Sequence, residues 1–237
     1  MTLVKLKDVS RFYKVDKERF YALKHFTYEF KEKGLFSICG KSGSGKSTLL
    51  NIIALLDKPS DGYLVFSNED TTYWKEKRVN RYRNKDIGII FQKYNLLEDE
   101  TALYNISFPL LIHGENYKKS KNKAYGYALK FGFDKEFLNK KVNTLSGGEK
   151  QRIAILRAII NEPKLLLCDE PTGALDQKNS ILVMELLKSI SKERLVIMVS
   201  HNLELVDKYS DVTIYLKDGL AFNEEVKHVE KKENKTI

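Results

Sequence analysis

Long apolar runs are missing from this 237-residue chain. None approaches the ~18 consecutive apolar residues a membrane-spanning helix needs, so the chain is expected to cross no bilayer on its own. Cysteine is scarce as well. Two residues, Cys39 and Cys168, cannot build a disulfide framework, and a reducing, cytosolic setting is the natural expectation. The opening segment MTLVKLKDVSRFYK lacks an apolar core behind a basic start, which argues against a secretory signal. What remains is 42% hydrophobic and 31% charged, the profile of a water-soluble folded protein. The length suits one large domain, or a domain carrying an inserted subdomain. Lysine and arginine (41) outnumber aspartate and glutamate (32), for a net charge of +9. That excess favours anionic partners such as nucleotides, nucleic acid or a lipid surface, without choosing among them.

Glycine is sparse and clustered. Of 13 glycines, six fall in three short segments: Gly40, Gly43 and Gly45; Gly147 and Gly148; and Gly173. Glycine is kept where the backbone must take positive φ or approach something closely, so these segments are candidate sites before any motif is named.

Periodicity predicts a mixed α and β chain. Residues 3–9 and 20–30 alternate apolar and polar, as half-exposed antiparallel strands do. Leu35–Cys39 reads as a buried strand ending at a glycine loop, followed by a helix over 46–56 and strands at Gly62–Phe66 and Ile87–Phe91. Helical patterns occupy 101–113, 117–131 and 147–161. Strand and helix then alternate: Leu165–Cys168, 178–191, Leu195–Val199, 203–209 and Val212–Leu216. Such alternation predicts a mostly parallel sheet, with the helical block inserted into it. The charged tail Phe222–Ile237 is expected to fray. Two stretches concentrate the basic excess: 75–85, with six basic residues and one acid, and 114–141, with eight lysines and three acids. Each is read as a solvated helical face or as an attraction for an anionic membrane surface or nucleic acid. Neither has the aromatic or glycine pattern of a known nucleic-acid module.

Gly40-Lys41-Ser42-Gly43-Ser44-Gly45-Lys46-Ser47 matches G-x-x-x-x-G-K-[ST], after a strand and before a helix. Glycines let successive N–H groups turn inward around phosphate oxygens, and the helix N-terminus adds its positive dipole end. Lys46 is then expected to reach the β- and γ-phosphates, Ser47 to hold Mg²⁺ and Thr48 to donate to the α-phosphate. The loop predicts binding of a nucleoside triphosphate.

The strand Leu165–Cys168 delivers Asp169 and Glu170. Asp169 is expected on the Mg²⁺ side, and Glu170 as the base that orients or deprotonates the attacking water. His201 follows the strand Leu195–Val199, and parallel strands carry ligands at their C-terminal ends, which places it near the γ-phosphate. Gln92 ends another strand and is drawn in by the same reasoning. Tyr13 is one of several tyrosines able to stack on a base. His25, His113 and His228 are read as structural or solvated, and both cysteines as small buried apolar residues.

Leu145-Ser146-Gly147-Gly148-Glu149-Lys150-Gln151-Arg152 adds a second glycine-bearing helix start. Together with the phosphate loop, the Leu165–Glu170 segment, Gly173-Ala174-Leu175-Asp176 and His201, it closely resembles an ATP-binding-cassette (ABC) ATPase over roughly residues 1–220. The resemblance implies an α/β phosphate-loop NTPase core with an antiparallel N-terminal β subdomain and an inserted helical subdomain. Its implied divisions are 1–93 and 161–220 for the core, 94–160 for the helical subdomain and 221–237 for the tail. It further implies ATP and Mg²⁺ as ligands and a homodimer sandwiching two nucleotides. In that arrangement Ser146, Gly147, Gly148 and Glu149 would meet the partner's nucleotide, with Asp176 signalling between subunits. Tyr13 would stack on adenine. Gln92 would join Ser47 and Asp169 at the metal and link nucleotide state to a membrane partner. Within the family, the motifs resemble the branch of macrolide exporters, lipoprotein-release ATPases and bacitracin-type export or resistance systems. Lys41, where that branch commonly has proline, and Glu98-Asp99-Glu100-Thr101, where it has a proline-containing turn, depart from the pattern. The implied activity is ATP hydrolysis on the inner face of the membrane, driving separate permease chains. Control of a non-transport membrane machine is the alternative, and a nucleic-acid machine is disfavoured by the short helical insert and single cassette.

Overall fold

The computed structural model describes residues 1–15 and 18–226; residues 227–237, including His228, lie outside the described residues. The chain opens with two long strands, β1 (Thr2–Val15) and β2 (Glu18–Lys31), paired antiparallel with several register shifts. Next come β3 (Gly34–Cys39), helix α1 (Lys46–Ile53), β4 (Asp61–Phe66) and the two-residue β5 (Glu69–Asp70). Helix α2 (Glu76–Asp86) leads directly into β6 (Ile87–Ile90). The inserted helices are α3 (Ala102–Ile112), α4 (Tyr117–Lys130) and α5 (Lys135–Leu138), and α6 (Gly147–Ile159) returns the chain to the sheet. The remainder alternates: β7 (Leu165–Asp169), α7 (Gln177–Ser191), β8 (Leu195–Val199), α8 (Leu203–Tyr209), β9 (Val212–Lys217) and β10 (Leu220–Val226).

Two sheets result. One is antiparallel, in the order β2-β1-β4-β5, and the other runs β10-β9-β3-β8-β7-β6. In the second, β9, β3, β8, β7 and β6 are parallel and β10 is antiparallel to β9. The composition of the strands explains why. All five residues of β8, Leu195-Val196-Ile197-Met198-Val199, are buried, as a parallel strand covered on both faces requires. Neighbours along it then serve opposite layers. Val196 and Met198 join a cluster with α6, α7 and the inserted helices, whereas Leu195, Ile197 and Val199 join one with α1, β1 and β2. Each buried aliphatic side chain contributes about 1.5–3 kcal/mol, so the central strands give the loops at their ends a firmly packed base.

Strand β10 revises one expectation. Phe222–Val226 belongs to an edge strand hydrogen-bonded to β9 rather than to a frayed tail. The β9–β10 turn also braces the phosphate loop, since Gly219 N–H donates to the Ser44 carbonyl at 3.2 Å.

Candidate functional site

Helix α1 begins without a cap. Its first helical residue is Lys46, the residue before it is glycine, and neither a capping side chain nor a first-turn acid satisfies its leading N–H groups. Those orphan donors and the helix dipole make an anion site. Gly45 makes the turn possible. Its φ is +100°, and a Cβ there would lie 2.2 Å from the carbonyl oxygen of Ala22, so only glycine fits. Lys46 is buried, with Nζ donating to the carbonyls of Gly40 (2.9 Å) and Lys41 (2.8 Å). This pins the loop into a curve around its own ammonium. Ser44 Oγ is buried there without a hydrogen-bond partner among the described residues.

A cavity of about 570 Å³ opens over this helix start. Gly40, Ser42, Gly43, Gly45, Lys46, Ser47 and Thr48 line its floor, with Glu170, Val199 and His201 on one wall and Tyr13, Phe20 and Ala22 on the other. Lys41 is exposed at the loop's outer side. The strand order accounts for the grouping. Strand β8 lies between β3 and β7, so the loop after β8 places His201 between the phosphate loop and the acidic pair. Ser200 N–H donates to the Ile38 carbonyl at 3.2 Å, tying the end of β8 to β3.

Asp169 is half-buried at the end of β7. Burial and then the adjacent Glu170 carboxylate push its pKa up, and the Lys46 ammonium opposes them. The backbone turns sharply after it: Glu170 has a φ of +47°, rare for a residue with a Cβ. Glu170 N–H donates to the Val199 carbonyl at 3.0 Å, and its Oε1 lies 3.2 Å from His201 Nδ1. A carboxylate thus faces the phosphate-loop cavity with an imidazole beside it.

Tyr13 lines the cavity with a half-exposed ring. Its hydroxyl donates to Asp57 Oδ2 at 3.3 Å, and the Arg11 guanidinium lies 4.8 Å from its ring centre. Phe20, which the sequence reading did not single out, stands opposite Tyr13 in the β1–β2 register and is 60% exposed. It offers the cavity a second aromatic face. Gln92, by contrast, is exposed and does not line the cavity. It follows β6, which β7 and β8 separate from β3.

Ser146, Gly147, Gly148, Glu149 and Asp176 gather at a second place. Ser146 and Glu149 form a capping box on α6, with Ser146 N–H and Oγ both donating to Glu149 Oε2, at 2.8 and 2.7 Å. Those bonds hold the Glu149 carboxyl below its ordinary range. Asp176 caps α7 by accepting from Asn179 N–H at 2.8 Å. The two helix starts abut so closely that a Cβ on Gly148 would lie 2.3 Å from Asn179 Oδ1. None of these five residues lines the phosphate-loop cavity. His25 is exposed and pairs with Asp8 at 2.8 Å, and exposed His113 contacts the Pro109 carbonyl at 2.6 Å, both as expected of structural or solvated histidines.

The ABC transporter family profile matches residues 23–173. An ABC transporter ATP-binding protein of Methanocaldococcus jannaschii, MJ0796, is 41% identical over 228 residues, covering 94% of this chain and 97% of that protein. The lipoprotein-releasing system ATP-binding protein LolD of Wigglesworthia glossinidia brevipalpis is 38% identical, with coverage of 94% and 97%. A dimeric structure of MJ0796 in a post-hydrolysis state, bound to ADP and Pi, superposes with a TM-score of 0.84 at 38% identity, covering 94% of this chain and 98% of that one. The chain belongs to the ABC transporter family, as one of its ATP-binding, ATP-hydrolysing subunits.

Proposed function

We propose that this subunit binds Mg-ATP at the uncapped start of α1 and hydrolyses it in a head-to-tail homodimer that drives separate membrane subunits. The observation that carries the reading is the bare α1 N-terminus beneath the Glu170–His201 pair. Triphosphate oxygens would take the free N–H groups of the loop and of Thr48, with Lys46 facing the β- and γ-phosphates. Tyr13, with Phe20 opposite, would stack on adenine. The donor set suits Mg²⁺. Among the described residues no cluster of three or more His, Cys, Asp or Glu side chains is placed to cage a metal, and Mg²⁺ prefers one or two protein oxygens plus phosphates and water. Ser47 and Asp169 would supply those oxygens, with Gln92 approaching if its loop moves. When bound, the ion neutralises charge developing on the phosphates. Glu170 would accept a proton from the attacking water, and His201 would hold Glu170 and approach the γ-phosphate.

A triphosphate seated at the α1 start would take its γ-phosphate cap from outside the phosphate loop. The second cluster, with Ser146 exposed at the α6 start, is suited to capping the site of another copy. Glu149 would hold Ser146 in position, Gly147 and Gly148 would give close backbone approach, and Asp176 would report across the interface.

For the membrane partner, a cavity of about 510 Å³ beside β6 is lined by Phe91, Phe108, Ile112 and Arg157. Phe91 and Ile112 are 41% and 63% exposed, and Phe91 adjoins Gln92. This groove would seat a cytoplasmic loop of a permease and couple it to nucleotide state. The relatives favour export or lipoprotein handling over control of a non-transport machine. Among the described residues no helix is long and apolar enough to cross a membrane; the spanning parts of the proposed complex are assigned to permease chains. The test is capture of an integral membrane protein from detergent-solubilised membranes by the tagged chain. Loss of capture in a Phe91→Asp, Ile112→Asp variant is expected; capture unaffected by it removes the groove from the account.

A further inference from the structure

A row of cations on α2 lacks acidic counterparts. Lys77, Arg81 and Lys85 recur at every fourth position of Glu76–Asp86, so they stack along one helix face. Lys75, before the helix, and Lys164, before β7, extend the row around a cavity of about 740 Å³. Arg78 is engaged with Glu69 and with the Trp74 ring, 4.7 Å away, and Lys164 faces Asp86 at 3.5 Å. Lys75, Lys77, Arg81 and Lys85 are exposed and make no ion pair among the described residues. Like charges four residues apart destabilise a helix, so this spacing is suited to an external anion.

The aromatics nearby narrow the choice of anion. Trp74 is only 6% exposed and packs on Tyr82 with ring centres 4.3 Å apart, while the Tyr82 hydroxyl donates to Glu69 Oε1 at 3.0 Å. Neither leaves a free face for a nucleobase. Tyr73 is 88% exposed beside the row, an amphipathic ring of the kind found at headgroup level in membrane interfaces. The same helix continues to the permease groove, which Arg83 and Asn84 line from its other side. A surface next to that groove would stand beside the bilayer.

We propose that this face of α2 docks on anionic phospholipid headgroups, whose phosphodiester oxygens are taken by Lys75, Lys77, Arg81 and Lys85, with Tyr73 seated among the headgroups. The choice of lipid over nucleic acid rests on the membrane location proposed above. The contact is electrostatic, so it weakens as salt shortens the screening length.

Flotation of the purified full-length chain with phosphatidylcholine vesicles, with and without phosphatidylglycerol, tests it. Binding is expected only to the anionic vesicles, decreasing as salt is raised. The triple variant Lys77→Gln, Arg81→Gln, Lys85→Gln is expected to lose about 100-fold in vesicle affinity and to keep fluorescent-ATP binding. Equal binding to neutral and anionic vesicles, binding to neither, or salt-independent binding overturns the proposal without any variant. A triple variant that retains ATP binding and floats like the parent overturns it too. Tighter binding to duplex DNA than to anionic vesicles, lost in the variant, reassigns the surface to nucleic acid. Failure of the parent chain to bind ATP would strike the nucleotide site alone.

Discussion

His201 Nδ1 stands 3.2 Å from Glu170 Oε1, joining the loop after β8 to the turn after β7. Both loops are anchored on buried strands, and the Glu170 backbone is held at φ +47° by its bond to Val199. The pair is therefore preorganised by the fold. Glu170→Gln keeps the size of the side chain and removes its basicity. It should slow hydrolysis by about 10²–10⁴-fold while leaving ATP affinity within a few-fold. Turnover and fluorescent-nucleotide titration on one preparation check this, and unchanged turnover removes Glu170 from the base role.

Asp169, proposed above for the Mg²⁺ side of the site, sits where burial and the Glu170 carboxylate disfavour its charge. Its raised pKa means the native state holds that proton more tightly than the unfolded chain, for which the value is near 3.8. This favourable contribution is complete below pH 3.8 and is lost as pH rises through the folded value, so near neutrality the ionised group opposes folding. Asp169→Asn should raise the melting temperature of the nucleotide-free protein at pH 7 by about 2–4 °C for each kcal/mol relieved. It should also abolish the extra stabilisation that Mg²⁺ adds to ATP. Calorimetry with ATP, with and without Mg²⁺, separates the two effects.

The two cysteines report on strand order. Cys39 and Cys168 are free, and β8 lies between their strands. Two strand spacings alone put them at least about 9–10 Å apart, and the register adds to this by setting Cys168 level with Ser37 rather than Cys39; a disulfide tolerates only ~7 Å. Burial pushes the Cys39 thiol up to about 11, and the Cys168 thiol upward as well. At pH 8 both should react with a thiol reagent about 100-fold more slowly than in the urea-unfolded chain, and Cys39 more slowly still with Mg-ATP. A Cys39–Cys168 bridge found by mass spectrometry after oxidation would contradict this arrangement.

Lys46→Ala removes the cation buried at the start of α1. Nucleotide affinity should fall by at least about 100-fold, as expected of a charge-assisted contact worth roughly 3 kcal/mol. Nucleotide titration reads the loss directly.

The sequence revealed most where signals are local. The phosphate loop, the acidic end of β7 and the buried β8 each lie within a few consecutive residues, and His201 follows directly on β8, the strand that lies between β3 and β7. Phe20 stayed hidden because its place opposite Tyr13 depends on the register of a hairpin with several shifts. Helix α2 buries none of its residues, so it has no apolar period to read and showed only as a run of charge. Strand β10 was hidden similarly, because Asn223-Glu224-Glu225 is a polar run in the sequence and an edge strand pairs through its backbone on one side alone. Gln92 illustrates a different limit: the end of a strand can be read from sequence, but its distance from the cavity depends on how many strands intervene.

If two copies complete each other's sites, the assembly state must follow the nucleotide. Sedimentation velocity of Glu170→Gln with Mg-ATP should give a species of twice the monomer mass with one nucleotide per chain. In the same background Ser146→Arg should leave ATP bound and return the protein to monomer. A Glu170→Gln protein saturated with ATP yet monomeric at concentrations well above its nucleotide Kd, or a dimer indifferent to Ser146→Arg, would contradict the shared site.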